Sequence, residues 1–100
     1  LAAYSASKAG ASHLTKCLAL DWAAHGIRVN ALCPGYIETE MNAGFFETPE
    51  GLALIARTPM KKIGRISDLE GPLLLLASDA GRHITGIDLP VDGGHLVSSL

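Results

Sequence analysis

The chain has little of what would assign it at a glance. Aromatic residues make up 5% of its 100 positions, with one Trp, and it holds only two cysteines. So few cysteines exclude a disulfide-stapled scaffold; Cys17 and Cys33 read instead as small core residues of a reducing compartment, which points to the cytoplasm. Neither sign of charge dominates. Eight basic against ten acidic residues leave a net charge of −2 with no basic cluster, so nothing favours nucleic acid or an anionic membrane as partner. No uninterrupted apolar run is longer than Leu73 to Ala77, which is too short to span a bilayer. The four histidines show no ligand spacing with each other or with the cysteines, so no metal site is expected. No signal-peptide pattern is visible, and the first residue is Leu1. What remains is 48% hydrophobic, the composition of a soluble globular protein of at most one domain.

Against that plain background Tyr4 and Lys8 stand out. Residues four apart on a helix share a face, so a phenol and an ammonium would project side by side. A cation next to a phenol favours the phenolate, and so makes a proton donor and acceptor usable near neutral pH. The competing reading is a half-buried tyrosine with a solvated lysine one turn later.

Residues 3 to 25 hold no proline and one internal glycine, with Leu14, Leu18 and Trp22 recurring every four positions. That pattern predicts an amphipathic helix of about six turns, closed by Gly26 in a left-handed cap. Ile27 to Cys33 predicts a buried strand stopped by Pro34-Gly35, and a helix feeding such a strand implies a parallel sheet. Residues 36 to 47 predict a loop long enough to be a lid or binding segment. Thr48-Pro49-Glu50 opens a short helix running to Arg57. Ser67-x-x-Glu70 fits a capping box for a leucine-rich helix covered on several sides, with Pro72 about a turn inside, where it costs one backbone hydrogen bond or pushes the true start later. Ile87 to Val91 predicts a second strand, at a sheet edge because Pro90 lacks an N–H. Asp92-Gly93-Gly94 then turns the chain into a tail from Val97 to Leu100. Asn30 reads as a buried polar group tying its strand to a neighbour. Two strands alone do not make a stable sheet, so the polypeptide reads as part of a domain.

Taken together, Tyr4-Ser5-Ala6-Ser7-Lys8-Ala9-Gly10, Ile27-Arg28-Val29-Asn30 with Pro34-Gly35-Tyr36-Ile37-Glu38-Thr39, Leu76-Ala77-Ser78-Asp79, Ile84-Thr85-Gly86 and Val91-Asp92-Gly93-Gly94 resemble the short-chain dehydrogenase/reductase family, in order along the whole chain. The resemblance implies an α/β fold, the C-terminal part of a Rossmann-like doubly wound parallel sheet: active-site helix, strand, loop with a short helix, helix, edge strand. It implies that residues 1–100 are a fragment of one dinucleotide-binding domain. The family's glycine-rich turn, catalytic serine and cofactor-selecting residue would then lie upstream of Leu1.

By the same resemblance the activity is NAD- or NADP-dependent interconversion of a secondary alcohol and a ketone, of small-alcohol, sugar-acid, polyol or 3-oxoacyl type. Tyr4 is the general acid or base. Lys8 holds the nicotinamide ribose hydroxyls and favours the Tyr4 phenolate. Pro34 and Gly35 let the backbone approach the nicotinamide, although an ordinary strand-ending turn explains them too; Ile37 and Thr39 meet the cofactor. Tyr36 and Met41 belong to the loop covering the substrate. A homo-oligomer, tetramer or dimer, is the family's usual assembly.

Two rival readings remain. Ser5-x-x-Lys8 matches the serine–lysine pair of penicillin-binding proteins and β-lactamases, but Ser67-Asp68 is followed by Leu69 and Thr85-Gly86 is preceded by Ile84, so neither companion motif is complete. The chain could also be a non-catalytic fragment or oligomerisation module, inactive as an isolated 100-mer.

Overall fold

The computed structural model describes residues 1–98. In chain order it holds helix α1 (Ala2–Trp22), strands β1 (Ala31–Pro34) and β2 (Ile37–Glu38), helix α2 (Pro49–Arg57), strand β3 (Gly64–Arg65), helix α3 (Glu70–Ala77) and strand β4 (Asp88–Val91), with 3-10 turns between them. The chain divides into two compact units, Leu1–Leu32 with Leu74–Leu89, and Cys33–Leu73 with the chain from Pro90 onward.

In the first unit α1 runs on as a 3-10 turn over Ala23–His25 and stops at Gly26, whose φ of 71° is left-handed and whose N–H bonds Ala23 O at 3.0 Å. Lacking a Cβ, glycine takes that conformation at no steric cost. Ala19 is the one buried residue of α1, while Leu14 and Trp22 of the expected apolar stripe stand exposed. Cys17 is exposed as well, which corrects its reading as a core residue. A polar cluster ties α1 to β4: Ser12 Oγ donates to Asp88 Oδ2 at 2.5 Å and Lys16 Nζ reaches the same oxygen at 3.2 Å. The Ser12 hydroxyl and the Lys16 ammonium together hold the Asp88 carboxyl below the usual carboxylate range.

The strand expected over Ile27–Cys33 is ordered as a ladder only from Ala31. Before it, side chains stand in for the ladder. Val29 N donates to Thr85 Oγ1, while Asn30 Nδ2 donates to Ile84 O at 3.0 Å and Asn30 Oδ1 accepts from Ile87 N at 3.1 Å. Asn30 is thus the tie its sequence context indicates. Ala31 N then bonds Ile87 O in this unit, and Gly35 N bonds Val91 O in the other. Equal advance along both strands makes the β1–β4 pairing parallel.

The second unit adds a second parallel pair, β2 with β3, in the register Ile37↔Gly64 and Glu38↔Arg65. Both strands lie in stretches that the sequence reading leaves as loop, so the expected two strands become four short ones. Helix α2 forms as its sequence dictates: Thr48 caps it by accepting from Gly51 N at 3.2 Å, Pro49 fills the first position, and Thr58 ends it in extended conformation. Phe46 is buried beneath it, where Gly51 leaves no room for a Cβ against the Phe45 and Phe46 backbone.

The start of α3 differs from expectation. The carboxylate that caps this region belongs to Asp68, whose Oδ2 accepts from Arg65 N at 2.8 Å, and a 3-10 segment over Ile66–Leu69 precedes the helix. Pro72 therefore falls in the first turn of α3, where its missing N–H has no intrahelical partner to lose. Leu73, Leu74 and Leu75 are exposed rather than covered. Helix propensity and the wish of leucines for burial are separate forces, and only the first acts locally. The tail expected from Val97 begins as a 3-10 turn over His95–Val97; its last two positions, 99 and 100, lie outside the described residues.

Candidate active site

Tyr4 and Lys8 share one face of α1 in the first unit, with Lys8 Nζ 5.6 Å from the Tyr4 ring centroid. The i,i+4 spacing of a regular helix produces that approach, and cation–π attraction favours it. Tyr4 is 62% exposed, so its hydroxyl is open to a reactant. The Lys8 ammonium makes no hydrogen bond among the described residues, which leaves its three donors for a ligand. Ser7 Oγ turns back to Tyr4 O at 2.8 Å and is occupied by the helix itself. No hydrogen bond joins Ser5 to Lys8, so the serine–lysine reading has no geometric support.

Pro34, Gly35, Tyr36, Ile37, Thr39 and Met41 all fall in the second unit. Gly35 has a structural cause that its sequence neighbourhood does not reveal. A Cβ there would sit 2.6 Å from Asp92 Cβ and 2.8 Å from Asp92 Cα. Close approach of two backbones requires glycine at this point, whatever else the turn does.

Gly64 N bonds Tyr36 O at 2.9 Å, and alternate residues of a strand turn their polar groups to opposite sides. Ile37 therefore directs its N–H and C=O away from β3. The carbonyl is taken by Asn42 Nδ2 at 2.9 Å, and Asn42 Oδ1 accepts from Thr39 N at 2.6 Å. Asn42 is the organiser of this loop, a role the sequence reading missed. An Asn three residues past Thr39, placed to bond the backbone as such side chains do in turns, is the signal that could have found it.

Tyr36 lies edge-on to His95, ring centroids 5.3 Å apart at 74°. Met41 is 99% exposed. The Asp92-Gly93-Gly94 turn packs within the unit. Asp92 Oδ1 and Oδ2 accept from Gly94 N and Leu96 N, and both glycines have positive φ with Thr58 and Pro59 against them. Beside that turn a cavity of about 240 Å³ opens, with Tyr36 and Ile37 in its wall. Among the described residues no group of three or more His, Cys, Asp or Glu side chains is placed to hold a metal ion, and no helix is long and apolar enough to cross a membrane.

Residues 1–95 match the family model described as enoyl-(acyl carrier protein) reductase. The chain belongs to the short-chain dehydrogenase/reductase family. It is 45% identical over 95 residues to galactitol 2-dehydrogenase (L-tagatose-forming) of Cereibacter sphaeroides, covering 94% of this chain and 37% of that protein. To 3beta-hydroxysteroid dehydrogenase 1 of Eggerthella lenta it is 48% identical, covering 91% and 35%. Among solved structures it superposes with a TM-score of 0.86 on a protein assigned as an NAD(P)-dependent gluconate 5-dehydrogenase from Beutenbergia cavernae, carrying NADP at low occupancy. That pair is 43% identical, over 97% of this chain and 39% of the other. The chain thus spans little more than a third of the length of the curated relatives it matches. Its fold is the helix and parallel-strand arrangement of part of a Rossmann-like dehydrogenase domain.

Proposed function

We propose that this chain is the C-terminal part of an NAD- or NADP-dependent short-chain dehydrogenase/reductase that interconverts a secondary alcohol and a ketone, with Tyr4 as its proton donor and acceptor. The observation that carries the reading is the Lys8 ammonium lying over the ring of an exposed Tyr4 on one helix face. Relatives named for galactitol, hydroxysteroid and gluconate support secondary-alcohol chemistry on this scaffold.

The residues present suit a nicotinamide cofactor. Lys8 has free donors for ribose hydroxyls, Gly35 carries no side chain, and Ile37 turns its N–H away from β3, where a carboxamide oxygen could meet it. When bound, the nicotinamide supplies or accepts the hydride. In the oxidising direction Tyr4 Oη, as phenolate, takes the proton of the substrate hydroxyl; in reduction the phenol returns it to the forming alkoxide. Thr39, held by Asn42, lies two residues past Ile37 and completes the cofactor side. Tyr36 and Met41 belong to the segment that covers the substrate. The working enzyme is a cytoplasmic homo-oligomer, dimer or tetramer.

Tyr4→Phe in the full-length protein tests the assignment. Hydride transfer, followed as NAD(P)H absorbance, is expected to fall by about 10²–10⁴-fold, the usual contribution of a positioned acid or base. Cofactor affinity should stay unchanged. A variant that kept its rate would end the proposal.

A further inference from the structure

We propose that Asn42 is a positioning residue for the cofactor: its side-chain amide stands in for a neighbouring strand on the open edge of β2 and so presets the Ile37 N–H for the nicotinamide carboxamide. The inference rests on the oxidoreductase reading above and deepens it.

Strand β2 pairs with β3 alone, through Ile37↔Gly64 and Glu38↔Arg65. Gly64 N bonds Tyr36 O, so the backbone polar groups of Ile37 point to the opposite edge. A parallel neighbour on that edge would donate to the Ile37 carbonyl and accept from the N–H two residues on. Asn42 does both with one side chain: Nδ2 donates to Ile37 O at 2.9 Å, and Oδ1 accepts from Thr39 N at 2.6 Å. An Asn amide carries donor and acceptor in fixed geometry, as a peptide unit does. The Ile37 N–H opens on the same edge and has no ladder partner.

Asn42 is itself held. Its N–H bonds Thr39 O at 3.2 Å and its carbonyl accepts from Phe45 N at 3.0 Å, while Ala43 N also bonds Thr39 O. The 3-10 turn that follows, Phe45–Glu47, carries the buried Phe46. The amide therefore works from a turn pinned by backbone bonds and by an apolar anchor. Both backbone polar groups of Thr39 are engaged in this turn, and its hydroxyl, which has no partner among the described residues, is the group left for a ligand. A donor fixed beforehand loses less freedom when its ligand arrives. An amide that only steadied the fold would affect every ligand of the domain alike; one that presets the Ile37 N–H affects the nicotinamide end.

The test compares Asn42→Ala with wild type in the full-length protein. Both are titrated calorimetrically with NAD(P)⁺ and with ADP-ribose, which lacks the nicotinamide and carries the 2′-phosphate where the protein takes NADP⁺. The variant should bind the dinucleotide about two- to tenfold more weakly, as for one neutral hydrogen bond lost, with ADP-ribose affinity unchanged. Equal weakening of the two ligands, or of neither, would overturn the proposal. Should Asn42→Ala fail to fold, Asn42→Ser must show the same split, because its hydroxyl can still accept from Thr39 N but is too short to reach the Ile37 carbonyl as well. Reduction of NAD(P)⁺ by secondary alcohols is scored separately. A wild type that reduced none and bound ADP-ribose as tightly as the dinucleotide would remove the oxidoreductase reading and this inference with it. A wild type active on alcohols, beside variants without the split, would remove the role of Asn42 alone.

Discussion

Gly35→Ala is a substitution whose cost can be worked out from the structure. The added methyl would lie 2.6 Å from Asp92 Cβ and 2.8 Å from Asp92 Cα, where carbon atoms prefer about 3.5–4.0 Å. Neither atom sits at the end of a rotatable side chain, so relief must come from separating the two backbones by about 1 Å. The Gly35 N–Val91 O bond beside it is 3.0 Å long. Stretched by that much it leaves hydrogen-bonding range, with a net loss of about 0.5–1.5 kcal/mol. Overpacking adds about 1–3 kcal/mol, for a total of about 1.5–4.5 kcal/mol. Urea unfolding of the full-length protein, followed by circular dichroism, should show the midpoint falling with little change in slope. Gly10→Ala is the matched control: nothing lies within 4 Å of a Cβ there, and the position is helical, so alanine should stabilise by about 0.5–1 kcal/mol. If Gly35→Ala unfolded at the wild-type midpoint and lost only cofactor affinity, the backbone-contact explanation would be wrong.

Thr48→Ala removes the side-chain acceptor of Gly51 N at the start of α2 and should lower stability by about 1 kcal/mol, restored in part by Thr48→Ser. Asp88 should give the acid limb of the stability curve. Its carboxyl is held below the usual range by Ser12 and Lys16 in the folded state. A folded-state pKa below the unfolded one contributes stability that is full above the unfolded value, about 3.9 for aspartate, and is lost as pH falls through the folded value. Asp88→Asn should flatten the pH dependence of unfolding below that point, and an unchanged acid limb would show that the cluster contributes nothing.

What the sequence makes legible is what short-range chemistry decides. Gly26 ends the first helix, and Thr48 with Pro49 begins the second, because a cap acts within one turn of itself. Tyr4 and Lys8 meet because helix geometry alone brings i and i+4 together. The misses need distant partners. Two-residue strands such as β2 and β3 are too short to carry any period-two pattern and exist only through each other. Asp68 displaced the expected Ser67–Glu70 box because Arg65, not Ser67, offered it an N–H. The requirement for glycine at 35 comes from Asp92, on a segment far along the chain, so its neighbours in sequence carry no trace of it.

Asn30 deserves a last consequence. Its amide imitates a peptide unit, offering a hydrogen to Ile84 and a lone pair to Ile87 just ahead of the first true rung between β1 and β4. A slip of either segment by a single position would strand both ends of that amide and turn every side chain of the strand to its opposite face. The pairing of two remote stretches is thereby keyed by one side chain. Asn30→Asp, nearly identical in shape but unable to donate, would keep half the key and allow the misaligned forms to compete.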